Sequence, residues 1–150
     1  MTIPRVKISW EEFHSDTKDL ARKIEKLNKK WEGIIAITRG GTIPAGILAS
    51  ELNIKIIETI GVSSYKGQNR VEMTVIKESN ADIIKDGDNW LVIDDLVDKG
   101  NTSKKIKELL PKAIIATVYA KPEGRPATDI FAKEFAQDTW LDFPWEIDEE

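Results

Sequence analysis

The sequence predicts an α/β fold: a mainly parallel, twisted sheet with helices on both faces. Three observations carry that expectation. Short apolar runs rich in β-branched residues, at 33–38, 90–93 and 114–120, read as strands buried on both faces. Helical patterns separate these runs, which is the alternation of a parallel sheet built from strand–helix–strand units. Each run ends in a Gly-containing or charged loop, and in such sheets ligands bind beyond the carboxyl ends of the strands. The loops after Thr38, Ile93 and Ala120 are therefore the candidate ligand loops.

The elements follow in order. Residues 9–28 form a helix, with Ser9 as N-cap, Glu12 completing a capping box, and Phe13, Leu20, Ile24 and Leu27 on the apolar stripe. The strand 33–38 runs into Arg39-Gly40-Gly41, and a helix over 43–52 carries Pro44 in its first turn. Residues 54–61 form a second apolar run. The polar stretch 63–70 reads as a loop, and 71–76 alternates like a hairpin strand. Asp94 and Asp95 close the strand 90–93. A helix over 103–110 stops at Pro111, with Ile106, Leu109 and Leu110 on one face. The C-terminal third is aromatic and irregular. Trp10, Trp31, Trp90 and Trp145 read as packing residues, and His14 as a surface residue.

With 150 residues and no linker-like stretch, the chain reads as one domain. The absence of Cys excludes disulfides, thiolate metal sites and a thiol nucleophile, and fits a reducing, cytoplasmic setting. A single His excludes two-His metal motifs. No apolar run approaches the ~20 residues that span a bilayer, and the N-terminus lacks a signal peptide's apolar segment. Lys plus Arg number 22 against 26 Asp plus Glu, a net charge of −4 that argues against nucleic acid as a partner.

The most informative stretch is VIDDLVDKGNTS, from Val92 to Ser103. It reads as strand, paired carboxylates, glycine-containing loop and helix start. Asp94 and Asp95 can hold sugar hydroxyls or a metal. The loop 98–102 presents backbone N–H groups at a helix N-terminus, which suits a phosphate. Thr102 adds a hydroxyl, and Gly100 lets an anion approach the backbone. The plainer alternative is a solvated turn with a helix cap. A nucleoside-triphosphatase lacks support, since the chain has no GxxxxGK[ST] motif. Lys121, after the strand 114–120, is an ordinary surface lysine or a donor facing a ligand. Trp140 and Leu141 are core residues or cover a ligand.

The same stretch resembles the 5-phosphoribosyl 1-pyrophosphate (PRPP) signature of the type I phosphoribosyltransferases. AITRGGTIPAGILASEL, SSYKGQN, YAKPEGRP and QDTWLDFPW extend the resemblance, from Val6 to Trp145, to the bacterial xanthine-guanine branch of that family. It implies the family's fold, with a mobile lid loop at 63–76 and a small C-terminal hood at 121–150. The implied activity is transfer of a phosphoribosyl group from PRPP to N9 of guanine, xanthine or hypoxanthine, with Mg²⁺ as cofactor. A hypoxanthine-preferring transferase and a regulator of the same fold that binds nucleotide and nucleic acid are the alternatives.

The resemblance also implies site roles. Asp94 and Asp95 would hold the ribose hydroxyls, and Asp95 would meet the metal. Leu96 and Val97 lead into the phosphate loop Asp98, Lys99, Gly100, Asn101 and Thr102. Asp98 would be the general base at purine N7. Arg39 and Gly40 would contact pyrophosphate beside a cis non-proline peptide bond, and Arg70 stands nearest to the lid arginine of relatives. Lys121 would pair with the 6-oxo group, with Trp140 and Leu141 over the purine. Lys99 and Asn101 depart from the usual Thr or Ser and Gly. The acidic end Asp148-Glu149-Glu150 replaces an apolar tail. A homo-oligomer, tetramer or dimer, is expected, with no stable membrane insertion; weak membrane association occurs in the family.

Overall fold

The computed structural model describes residues 3–67 and 70–147. In chain order its elements are β1 (Arg5–Lys7), α1 (Trp10–Glu25), β2 (Gly33–Thr38), α2 (Thr42–Leu52), β3 (Ile57–Lys66), β4 (Val71–Lys77), α3 (Ala81–Ile84), β5 (Trp90–Val97), α4 (Asn101–Leu109), β6 (Ile114–Ala120), β7 (Ile130–Glu134) and β8 (Trp140–Asp142). A six-stranded sheet has the order β4-β3-β2-β5-β6-β7. Its five strands from β3 to β7 in that row are parallel, and β4 returns antiparallel along β3. The predicted α/β class is therefore the observed one.

The order of strands locates the crevice. The chain passes from β2 outward to β3, then returns to the other side of β2 with β5 and continues outward through β6 and β7. Direction reverses between β2 and β5, so the loops leaving these two neighbours diverge to opposite faces and open a cleft.

Alternation within the central strands divides the core in two. Ile34, Ala36, Leu91 and Ile93 point to the face covered by α1 and α2, where they meet Phe13, Leu20, Ile24 and Leu48. Ile35, Ile37, Trp90 and Val92 point to the opposite face, against Ile84, Ile106 and Leu110. Both sides of each strand are apolar because both faces are covered. On the first face, Phe13, Tyr119, Phe143 and Trp145 form an aromatic cluster, with Phe143 stacked on Trp145 at 4.8 Å. Tyr119 donates its buried hydroxyl to Asp16 at 2.7 Å, and burial together with that carboxylate pushes its pKa upward.

Several elements differ from expectation. Ser9 caps α1 as predicted, accepting from the Glu12 N–H at 3.0 Å. The helix ends at Glu25 rather than Asn28, because Asn28 adopts a left-handed conformation, and Leu27 is exposed. Trp10 is also more exposed than a packing residue would be, although its ring lies 6.1 Å from Trp145. Ser63 to Lys66 are strand, not loop: they pair with 71–74 in an antiparallel hairpin. Residues 63–66 are exposed on both faces, so no apolar alternation announces that half of the hairpin, whereas the sequence of 71–76 alternates as expected. Strand β5 continues through Asp94 and Asp95 to Val97, because β6 keeps pairing with it. The segment 121–150 divides. Strand β7 joins the main sheet, whereas β8 pairs with β1 in a two-stranded sheet that the sequence pattern did not reveal. Gln68, Asn69 and the acidic end at 148–150 lie outside the described residues.

Candidate active site

Strand β2 delivers a tight turn to the cleft. The Thr38–Arg39 peptide bond is cis. The Gly41 N–H donates to Ile37 O at 2.7 Å, and α2 starts at once. A Cβ on Gly40 would stand 2.7 Å from Asp95 Oδ1, and a Cβ on Gly41 would stand 2.2 Å from Ile93 O. Two adjacent positions without side chains therefore let the β2 turn lie directly against β5.

Strand β5 supplies the carboxylates. Asp94 and Asp95 are half-buried near the end of β5; Asp94 lines the cleft, and Asp95 lies against the Gly40 turn. Burial pushes the Asp94 pKa well up, and the neighbouring Asp95 charge pushes it further. Burial also raises Asp95. The Asp95 N–H donates to Asp94 Oδ1 at 2.9 Å. Beyond Val97 the chain turns through Asp98, Lys99 and Gly100 into α4. Gly100 sits at φ 91°, a left-handed conformation that a side chain would oppose. The first N–H groups of α4, from Asn101 and Thr102 onward, have no partner within the helix. They border a cleft of about 320 Å³ lined by Asp94, Asp98, Lys99, Gly100 and Thr102, with Ser64 of β3 on the facing wall. Oriented donors at a helix start are the kind of arrangement that can take a phosphate group.

Lys121 follows directly on β6, and its backbone N–H donates to Val97 O at 2.9 Å. Its side chain is only 7% exposed, and Nζ lies 3.4 Å from Asp98 Oδ2. The ammonium is thus buried and held by a partner half open to solvent. The other oxygen of that carboxylate, Asp98 Oδ1, accepts from Gln137 Nε2 at 2.7 Å. Gln137 Oε1 in turn accepts from the Glu123 N–H at 2.9 Å. Gln137 was not singled out from the sequence, although it opens the QDTW stretch.

The remaining site candidates are placed as follows. Trp140 is 53% exposed, with the Arg5 guanidinium 5.9 Å from its ring centroid and its own Nε1 donating to Asp142 Oδ1. The Leu141 side chain is buried in the core, so only its backbone can face a ligand. Leu96 and Val97 remain within β5, and the Val97 side chain is buried. Arg70 stands at the hairpin, 82% exposed, with Nε 3.6 Å from Glu72 Oε1. It is not among the residues lining the cleft; Val71 and Met73 of the same hairpin are.

A family of phosphoribosyl transferase domains matches residues 9–150. The chain belongs to the phosphoribosyltransferase family. It is 51% identical over 146 residues to a xanthine-guanine phosphoribosyltransferase of Desulfotalea psychrophila, covering 94% of this chain and 86% of that relative. It is 47% identical over 141 residues to the enzyme of the same name from Idiomarina loihiensis, covering 93% and 86%. Among solved structures, a purine phosphoribosyltransferase from Pyrococcus horikoshii superimposes with a TM-score of 0.80 at 27% identity, covering 97% of each chain. The fold of this transferase is therefore the type I phosphoribosyltransferase fold.

Within the transferase, Arg39, Gly40, Asp94, Asp95 and the loop from Asp98 to Thr102 come from β2 and β5, neighbours on either side of the switch point. Lys121 reaches the same place from β6, through Asp98. Arg70 does not join them. Among the described residues no three His, Cys, Asp or Glu side chains converge as a metal site. Asp94 and Asp95 offer hard oxygen donors only, a set that fits Mg²⁺ shared with substrate phosphates and water. No helix among the described residues is long and apolar enough to cross a membrane.

Proposed function

We propose that this chain transfers the 5-phosphoribosyl group of PRPP to N9 of guanine, xanthine or hypoxanthine, giving GMP, XMP or IMP and pyrophosphate. The C1′–oxygen bond to pyrophosphate breaks, the C1′–N9 bond forms, and the base loses a proton. The carrying observation is the phosphate-shaped loop at the start of α4, a loop that begins three residues after Asp95 of the carboxylate pair, at the sheet's switch point.

The residues divide the work. Backbone N–H groups from Lys99 to Thr102 hold the 5′-phosphate, and because they are backbone groups the departures at Lys99 and Asn101 leave them in place. Asp94 and Asp95 accept from the ribose 2′- and 3′-hydroxyls. Arg39 and the Gly40 N–H meet the pyrophosphate, whose departure leaves positive charge on the ribose ring. Mg²⁺, when bound beside Asp95, supplies neutralising charge to that leaving group. Asp98 accepts the proton at N7. Lys121 is a donor only, so it pairs with a 6-oxo group and opposes the 6-amino group of adenine. Trp140 presents an exposed ring to cover the purine, and the Leu141 carbonyl suits the 2-amino group of guanine. Arg70 is proposed to reach the site only if the hairpin moves.

A cytoplasmic homo-oligomer, dimer or tetramer, completes the proposal. Exposed Ile57 at the start of β3 and Ile76 on the edge strand β4 offer apolar surface for a second copy; light scattering tests it.

The test is a spectrophotometric assay with PRPP, Mg²⁺ and each of guanine, xanthine, hypoxanthine and adenine. Turnover of the 6-oxo bases without adenine is expected, and the rates rank the substrates. Asp98→Ala should lower kcat about 100-fold or more while leaving PRPP binding near normal. Full turnover in that variant would refute the general base. No turnover with any base, by a folded protein that binds PRPP, would instead favour a nucleotide-binding regulator.

A further inference from the structure

We propose that Gln137 is the positioning residue for Asp98: its amide anchors one carboxylate oxygen so that the other stays aimed at the base when Lys121 changes partners. The inference rests on the reading of Asp98 as the acceptor of the N7 proton and goes beyond it.

The geometry assigns Gln137 a single orientation. The Glu123 N–H is a donor and requires the oxygen end of the amide, which accepts it at 2.9 Å. That contact turns Nε2 toward Asp98, where it donates to Oδ1 at 2.7 Å. The amide is therefore held at both ends. The second contact to Asp98, from Lys121 Nζ to Oδ2, is longer at 3.4 Å. A charged pair at full strength closes to about 2.7–2.9 Å. Gln137 is thus the firmer of the two holds.

A base that presents a 6-oxo group asks Lys121 to donate to that group instead of to Oδ2. Without a second anchor, the Asp98 carboxylate would be free to rotate with the departing ammonium. It stands on the loop after β5 and is half exposed, with no other side-chain donor on it among the described residues. Gln137 keeps Oδ1 occupied, so Oδ2 is the oxygen released to accept from N7. Gln137 also lies three residues before Trp140, in the turn that leads into β8, which the Thr139 N–H closes by donating to Ala136 O at 3.1 Å. The segment that covers the purine therefore carries the clamp on the carboxylate, which ties closure over the base to alignment of the proton acceptor. Reacting groups displaced by about 1 Å lose roughly 100-fold in rate.

The experiment compares Gln137→Leu, Gln137→Glu, Asp98→Ala and the double variant Asp98→Ala/Gln137→Leu, with guanine and PRPP varied separately. Gln137→Leu is expected to lower kcat about 10- to 100-fold and to move KM for PRPP by less than about threefold. Gln137→Glu keeps the shape and the acceptor for Glu123 but sets oxygen against oxygen at Asp98. It should lose at least as much, and it reads the same missing donor if the leucine variant does not fold. In the Asp98→Ala background, Gln137→Leu should cause no further loss, because the two residues act as one unit. Losses that multiply in the double variant, or normal kcat in Gln137→Leu beside an impaired Asp98→Ala, would overturn the inference alone. Undiminished kcat in Asp98→Ala would overturn the reading of Asp98 on which it rests.

Discussion

Gly41→Ala would put a Cβ 2.2 Å from Ile93 O, 2.8 Å from Ile37 O and 2.9 Å from Ile37 N. Ordinary contact at such a position begins at 3.4 Å, so the closest approach is short by more than an ångström. All three atoms are backbone of β2 and β5, the two strands flanking the switch point, and both are buried on each face. No side chain can swing away, so the strands themselves must part. Overpacking of a rigid core costs about 1–3 kcal/mol, and this site belongs at the upper end. For a chain of this size about 3 kcal/mol corresponds to roughly 6–12 °C of Tm. Gly40→Ala makes the complementary case. The three atoms nearest its Cβ would all belong to the Asp95 carboxylate, at 2.7–2.8 Å. A carboxylate can rotate, so stability should fall by less than about 1 kcal/mol. The rotation takes Asp95 out of place, and kcat/KM for PRPP should fall about 10- to 100-fold. Thermal and urea unfolding of both variants, beside steady-state kinetics, measure the contrast. A Gly41→Ala protein that loses under about 1 kcal/mol would refute the close-packing argument. A Gly40→Ala enzyme with unchanged kinetics would remove Asp95 from the site.

Two further outcomes follow from charge. Lys121→Ala should lower kcat/KM for guanine about 100-fold, the loss of a charge-assisted hydrogen bond together with a disturbed Asp98, while PRPP affinity stays near normal by calorimetry; equal weakening for both substrates would count against a base-facing lysine. Asp142 is held below the usual carboxylate range first by its hydrogen bonds from Arg5, 2.8 Å away, which join β8 to β1. A depressed folded pKa stabilises above the unfolded value and loses that contribution as pH falls through the folded one. Asp142→Asn should therefore show a small Tm deficit at pH 7 that begins to shrink near about pH 3.9, closes as pH falls through the lower folded pKa, and shrinks with added salt; a deficit of equal size at pH 2.5 would refute that account.

The local code was legible wherever an element is buried on both faces or capped by its own residues. The strands 33–38 and 114–120 coincide with β2 and β6 because continuous β-branched runs have few other uses in a short, Gly-bounded segment. The start of α1 at Ser9 was legible because its cap is chemistry within three residues. The geometry of the loop proposed to hold phosphate was legible because its donors are backbone groups set by the strand–Gly–helix order. The hairpin was misread at 63–66 because that stretch is exposed on both faces and needs no apolar pattern. The extension of β5 through Asp94 and Asp95 was missed because partners on β6 stabilise it, not its own residues.

What the chain determined by itself was thus the set of elements and the chemistry of each loop: carboxylates, glycine, oriented N–H groups and one lysine. Their meeting is a property of the sheet. Strand order places β2 beside β5 and reverses there, which carries the Arg39-Gly40 turn against Asp95 across more than fifty residues of sequence. The pairing of β1 with β8 carries Trp140 and Leu141 to the opposite end of the chain. Gln137 on Asp98 is the clearest case. A side-chain amide has no periodicity and no motif of its own, and its role arises only when the Glu123 N–H and the Asp98 carboxylate are brought to its two ends.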